Sequence, residues 1–369
     1  MKKPSTRWVG LILAVSLVAQ ACGSDDTTDT PADTSVTTAT TSVAATSTTT
    51  APSPTTTSTI PEPETVKVVT LPFITFAPFP IGIERGYFAE QGIEVEVVKM
   101  ARQEEILPAL SSGQVDVSSG LVSAGMFNAI ARGAKIRLVA DKGNVDPDSC
   151  INWAVIGRND LVESGELDTV GQLAGRKVNI VPATWLEFYL SEVLAAGGLT
   201  LDDITRENIG SAAQPDALDQ DQLDATVQSE PFVTRLGAKG HVPVFDLPQV
   251  LLPDATAAAV VFGPTLLEDN PELGARFMAA YLKSVEAYLE GKTPENLATI
   301  AEFTSLPLEL LESMCWPSLR PDGLIDTGSV TAFQQFASER GYIDEIVDPA
   351  DFYDQSFIEA ANALMGGNG

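Results

Sequence analysis

The sequence predicts an α/β protein folded as two lobes behind a tethered amino terminus. Three observations carry that prediction. Apolar, β-branched strands alternate with short helices through most of the chain, and strand, helix, strand with short loops implies parallel pairing. Residues 65–366 have ordinary hydrophobic content, and about 300 residues is a length at which chains divide into two compact units. The first 64 residues instead hold an apolar segment closing on a cysteine, then a long run of Ser, Thr, Pro and Ala.

The chain starts with Lys2, Lys3 and Arg7, followed by an apolar run from Trp8 to Ala21. About 14 residues cannot span the hydrocarbon core, which takes roughly 20, so residues 1–21 are read as a cleaved export signal. Ala19-Gln20-Ala21-Cys22 resembles the lipobox of bacterial lipoproteins. Lipidation of Cys22, and with it an extracytoplasmic protein held to the membrane by a lipid anchor, is the expectation. Residues 22–64 cannot bury enough apolar surface to offset their ordering entropy and are expected to form a disordered tether.

The elements follow in order. A β-branched strand at 66–71 leads into an aromatic, proline-punctuated turn carrying Phe73, Phe76 and Phe79. A helix at 81–90, Gly92 and a strand at 93–97 come next, the strand alternating Ile93, Val95 and Val97 with Glu94 and Glu96. A helix at 104–112 ends at Gly113 before a strand at 115–118, and a helix at 123–132 ends at Gly133 before a strand at 136–140. Further strands are expected at 151–158, 176–181, 223–228 and 257–262, with helices at 185–196 and 215–220. Asn270 is an N-cap with Pro271 at the first helical position, and Leu273, Phe277, Tyr281, Val285 and Tyr288 share one face of the helix it starts. Thr293-Pro294-Glu295 starts another helix in the same way.

Composition excludes several functions. The formal charge is −28, and removing 1–21 takes away three basic residues, leaving 19 basic against 50 acidic, or −31. Such a field repels nucleic acid and anionic headgroups. His241 is the only histidine, so a Ser-His-Asp or Cys-His system would have to be built on it, within the turn-like Gly240-His241-Val242-Pro243. Zinc-ligand spacings and phosphate-cradling glycine motifs are missing from the sequence. No metal, no cofactor and no catalytic residue is therefore expected. With Cys22 lipidated, Cys150 and Cys315 are an even pair in an oxidising compartment, and a disulfide between them is expected.

The order of segments from Pro78 to Ala361 resembles the solute-binding proteins of ABC importers, in the group that includes sulfonate, nitrate, taurine and thiamine-precursor binders. The resemblance lies in Gly86-Tyr87-Phe88-Ala89-Glu90-Gln91-Gly92-Ile93-Glu94-Val95 and Ala109-Leu110-Ser111-Ser112-Gly113-Gln114-Val115-Asp116-Val117. It continues in Leu173-Ala174-Gly175-Arg176-Lys177-Val178, Gln222-Leu223-Asp224-Ala225 and Glu230-Pro231-Phe232. It implies the type II periplasmic-binding-protein fold, with lobe one at 65–158 plus 256–366, lobe two at 159–255, and crossings near Arg158 and Ala255. It also implies a monomeric, non-enzymatic binder of a small molecule, partnered by a permease and an ATPase. Enzymes on the same fold, and receptors that hand a ligand to a sensor, are the rival functions.

In open α/β sheets ligands lie beyond the carboxyl ends of parallel strands. Those ends carry Phe73, Phe76 and Phe79; Ser118, Ser119 and the helix-starting Ser123; Thr184 and Trp185; and Gln228 and Glu230. Thr184-Trp185-Leu186-Glu187 also matches a capping box, which gives Thr184 and Glu187 a structural role. No cleft loop carries Arg or Lys, while aromatic residues and Glu230 do lie there. A flat heterocycle of the pyrimidine, thiamine-precursor or flavin kind is therefore expected, with an alkylsulfonate, nitrate or taurine as the alternative.

Overall fold

The structure is a computed structural model and describes residues 63–71, 73–100, 105–150, 153–245 and 252–366. The signal segment 1–21, Cys22 and nearly all of the tether lie outside the described residues.

Among the described residues, ten strands form two sheets. They are β1 (Glu64–Val69), β2 (Ile93–Val98), β3 (Val117–Leu121), β4 (Arg137–Asn144), β5 (Trp153–Gly157), β6 (Lys177–Asn179), β7 (Thr205–Glu207), β8 (Ala225–Ser229), β9 (Val242–Pro243) and β10 (Thr256–Phe262). The first sheet runs β2-β1-β3-β10-β4 and the second β7-β6-β8-β5-β9. As the short loops imply, β1 pairs in parallel with β2 and β3, and β6 with β7 and β8. β10 returns from the second lobe and lies antiparallel between β3 and β4. Every residue of β10 is buried, which suits a central strand covered on both faces.

Among the boundaries that move, two bear on the architecture. The helix expected at 81–90 is two helices, Pro78–Glu84 and Tyr87–Glu90, broken at Gly86 in the left-handed region at φ +75°. The strand assigned to lobe one as far as residue 158 pairs through Trp153–Gly157 with β8 and β9 of the second sheet. The first crossing therefore leaves the first sheet after Asn144 and ends ahead of Trp153, not at Arg158. The second crossing runs beside it, with the Val145 N–H donating to the Ala255 carbonyl at 2.9 Å and the Asp254 N–H to the Val145 carbonyl at 2.7 Å.

Cys150, on the first crossing, is disulfide-bonded to Cys315, which follows the helix Leu308–Ser313. The bond thus ties a crossing segment to lobe one; sequence reasoning had expected both cysteines inside that lobe. The helix Thr327–Glu339 packs on both lobes at once. Its Phe333 lies 6.1 Å from Phe127 on one side and 6.2 Å from Phe188 on the other, ring centre to ring centre. One apolar cluster consequently runs from the first sheet through this helix into the second.

Candidate ligand site between the lobes

The lobes meet on two different surfaces. On one, backbone groups pair across the lobes. Ser123 and Thr184 form an antiparallel bridge between lobes, with the Ala124 N–H donating to the Ala183 carbonyl and the Trp185 N–H to the Val122 carbonyl, both at 2.9 Å. Ala183 sits there at φ +58°, a conformation in which Ala costs about 1–2 kcal/mol. It is held by Glu187, whose fully buried carboxylate accepts from the Ala183 N–H at 2.7 Å, from Arg206 at 3.1 Å and from the Tyr342 hydroxyl at 3.1 Å.

The expected capping box is corrected accordingly. Thr184 does not accept from the helix; its hydroxyl donates to the Val181 carbonyl at 2.8 Å. Glu187 reaches back one residue further, to Ala183, because the left-handed turn there points that N–H at it.

On the other surface a cavity remains. One chamber of about 100 Å³ is walled by Phe73, Phe76 and Trp153 and carries the polar groups of Thr75, Gln228 and Ser211. A second of about 90 Å³ shares Leu71, Gly120 and Leu121 with it and holds Ser118, Ser119 and Ser123. Both fall below the ~300 Å³ of an ordinary ligand pocket, so a ligand of flavin size requires the lobes to part. A larger depression of about 590 Å³ lies on lobe two around Gly165, Gln172 and Arg176. It is open, has no aromatic wall, and its Arg176 is paired with Glu166 at 3.1 Å, so the interlobe cavity is the better candidate.

Of the residues singled out in the sequence, Phe73, Phe76 and Gln228 line the first chamber and Ser118, Ser119 and Ser123 the second. Ser118 and Ser119 lie within β3, not after it, since β10 holds them in register through Val261 and Val260. Ser119 Oγ is buried without a hydrogen-bond partner among the described residues.

Four expected site residues are elsewhere: Thr184 at the bridge described above, and Phe79, Trp185 and Glu230. Phe79 is turned into the core of lobe one, 5.3 Å from Tyr281 and 6.4 Å from Phe277. Trp185 is fully buried between Tyr189 at 5.4 Å and Trp153 at 5.2 Å. It therefore backs Trp153, and Trp153 is the indole that reaches the cavity. Glu230 does not line the cavity. Its buried carboxylate accepts from Thr234 N–H at 3.0 Å, from Thr234 Oγ1 at 2.7 Å and from Cys315 N–H at 3.3 Å. Burial raises its pKa, against the hydrogen bonds from Thr234 and Cys315. Glu230 is a structural link between lobe two and the disulfide segment.

Lys142 was missed. It lines the first chamber and is 3 % exposed, with Nζ 3.6 Å from the centre of the Phe76 ring. Burial brings its amine down to about 7, while the neighbouring Asp141, desolvated in turn, rises to about 7. The sequence reading ends this strand at Ala140. The strand continues to Asn144, and an Asp-Lys pair extending an apolar strand was the signal available.

Residues 74–295 match the NMT1/THI5-like family. A riboflavin-binding protein, RibY of Chloroflexus aurantiacus, is 25 % identical over 227 residues, covering 60 % of this chain and 61 % of that protein, so the chain spans less than two thirds of the relative's length. The periplasmic nitrate-binding protein NrtA of Synechocystis PCC 6803 superposes with a TM-score of 0.66 at 16 % identity, over 82 % of this chain and 89 % of that one. The periplasmic aliphatic sulphonate-binding protein SsuA of Escherichia coli does so at 0.65 and 16 %, over 80 % and 92 %. These likenesses establish the two-lobed α/β fold of periplasmic binding proteins. With more than half of its residues inside the matched segment, the chain belongs to the NMT1/THI5-like family.

Proposed function

We propose that this protein is the extracytoplasmic solute-binding component of an ABC importer, anchored through lipidated Cys22, and that it closes on a flat heteroaromatic ligand of the flavin or pyrimidine kind. The observation that carries the reading is the cavity itself. Aromatic walls from lobe one (Phe73, Phe76) and lobe two (Trp153) enclose polar groups from both sheets, so a ligand touching both lobes favours the closed state by its differential affinity for it. The riboflavin-binding relative supports the flavin kind. A permease and an ATPase are the partners this role requires.

A second reading, an oxyanion binder of the alkylsulfonate or nitrate type, draws support from Lys142 as the cation of the cavity. Isothermal titration separates the two. Riboflavin should bind the mature protein, while methanesulfonate and nitrate should give no saturable heat. Saturable binding of methanesulfonate with none of riboflavin would reverse the assignment.

A further inference from the structure

The strand β4 is irregular where it passes the cavity. β10 pairs Ala258 with Gly143 and Ala259 with Asp141, so Lys142 is the extra residue of a β-bulge. A bulge re-aims the side chain it carries, and bulges recur beside functional sites for that reason. Here it delivers the ammonium into the chamber, over the Phe76 ring.

Nothing in the protein answers that charge by direct contact. Among the described residues Lys142 has no ion-pair partner within 4 Å and no side-chain hydrogen bond. Its charged neighbour Asp141 accepts from the Arg320 N–H at 3.1 Å through one oxygen, leaves the other without a partner among the described residues, and acts on the Lys142 amine only through space. The other residues of the chamber are apolar or carry hydroxyl and amide groups, so Lys142 is the one titratable side chain lining it. A desolvated charge without a partner is costly, and the ring face compensates only in part.

Building on the proposed function, we propose that Lys142 is the specificity-determining residue of the cleft, donating a charge-assisted hydrogen bond to an anionic or carbonyl edge of the aromatic ligand. The site thereby selects heteroaromatics with an imide or acidic edge and rejects cationic ones. Because burial leaves the free amine partly neutral near pH 7, binding of such a ligand takes up a proton.

The test uses the mature protein and its Lys142→Met and Lys142→Arg variants, titrated with riboflavin at pH 7 in two buffers of different ionisation enthalpy. Lys142→Met is expected to weaken binding tenfold or more, and Lys142→Arg to retain more affinity than Lys142→Met. Wild type is expected to take up more protons per ligand than Lys142→Met. Affinity within twofold of wild type in Lys142→Met overturns the inference and leaves the proposed function standing.

If riboflavin does not bind wild type, the flavin reading falls, and melting of the ligand-free proteins still decides on Lys142. A higher melting temperature for Lys142→Met at pH 7 supports an unpartnered charge held ready for a ligand. A lower one assigns Lys142 to structure and overturns the proposal.

Discussion

The two surfaces between the lobes differ in who completes them. At the Ser123–Thr184 bridge the backbone N–H and carbonyl groups pair across the lobes and the left-handed Ala183 is held by the Glu187 carboxylate, while the Trp185 indole nitrogen and the Tyr189 hydroxyl behind it are buried without partners among the described residues. At the cavity, Ser119 Oγ and the Trp153 indole nitrogen are buried without partners among the described residues, and the Lys142 ammonium faces a ring instead of a carboxylate. Buried polar groups are ordinarily satisfied. Under the proposed function, Ser119 Oγ, the Trp153 indole and the Lys142 ammonium are the groups a bound ligand would partner. On the proposed function, the bridged surface contributes stability and the cavity surface takes the ligand.

Variants on the bridged side should therefore change stability and spare recognition. The largest effect is expected from replacing Cys150 and Cys315 together by Ser. On the chain-entropy model the 165-residue separation makes the bond worth about 5 kcal/mol, and removing native disulfides costs roughly 2–5; denaturant unfolding measures it. Glu187→Ala follows, at about 2–4 kcal/mol, because it removes the partner of the Ala183 N–H and of Tyr342 from a buried position. Thermal melting should show the loss, and rescue by Glu187→Gln should be partial.

Glu230→Ala sharpens the comparison, since Glu230 stands at a strand end where a ligand contact was expected. Its partners are Thr234 and Cys315, so a loss of about 1–2 kcal/mol in unfolding free energy with riboflavin affinity inside twofold is expected. A tenfold loss of affinity at unchanged stability would return Glu230 to the ligand.

The smallest effect is a pH slope. The Lys142 amine titrates at about 7 in the fold and at its ordinary 10.5 in the unfolded chain. Below pH 7 both states hold the proton and the full burial penalty applies. Between pH 7 and 10.5 the unfolded chain holds a proton the folded one lacks, so stability rises with pH. Asp141 acts in the acid range: its folded pKa is lifted from 3.8 to about 7, so its contribution declines as pH rises through that interval. The melting-temperature difference between wild type and Lys142→Met should consequently narrow from pH 7 to pH 9.5. A constant difference would mean that Lys142 does not titrate in this range.

How legible this was in the sequence depended on the range of the interaction. The helix Trp185–Ala196 and the N-caps Asn270 and Thr293 were readable because each is signalled within four residues; both caps accept the expected backbone N–H, from Leu273 and Asn296. Parallel pairing of β1 with β2 followed from a short connection. Phe79 and Trp185 were misplaced because their local sequence fits a site wall or a core equally well, and only packing against Tyr281 and Tyr189 decides. Lys142 escaped because its bulge exists only once β10, from the far side of lobe two, pairs with β4. The role of Glu230 likewise depends on Cys315, which local sequence could not place beside it.

The claim that the cavity surface is the ligand site is tested most directly by a crystal structure of the mature protein grown with riboflavin. The account predicts the ring system between Phe73, Phe76 and Trp153, with a carbonyl or ring-nitrogen acceptor within hydrogen-bond distance of Lys142 Nζ. Riboflavin bound instead in the open depression around Gly165 and Arg176, with the interlobe cavity left as it is here, would contradict it.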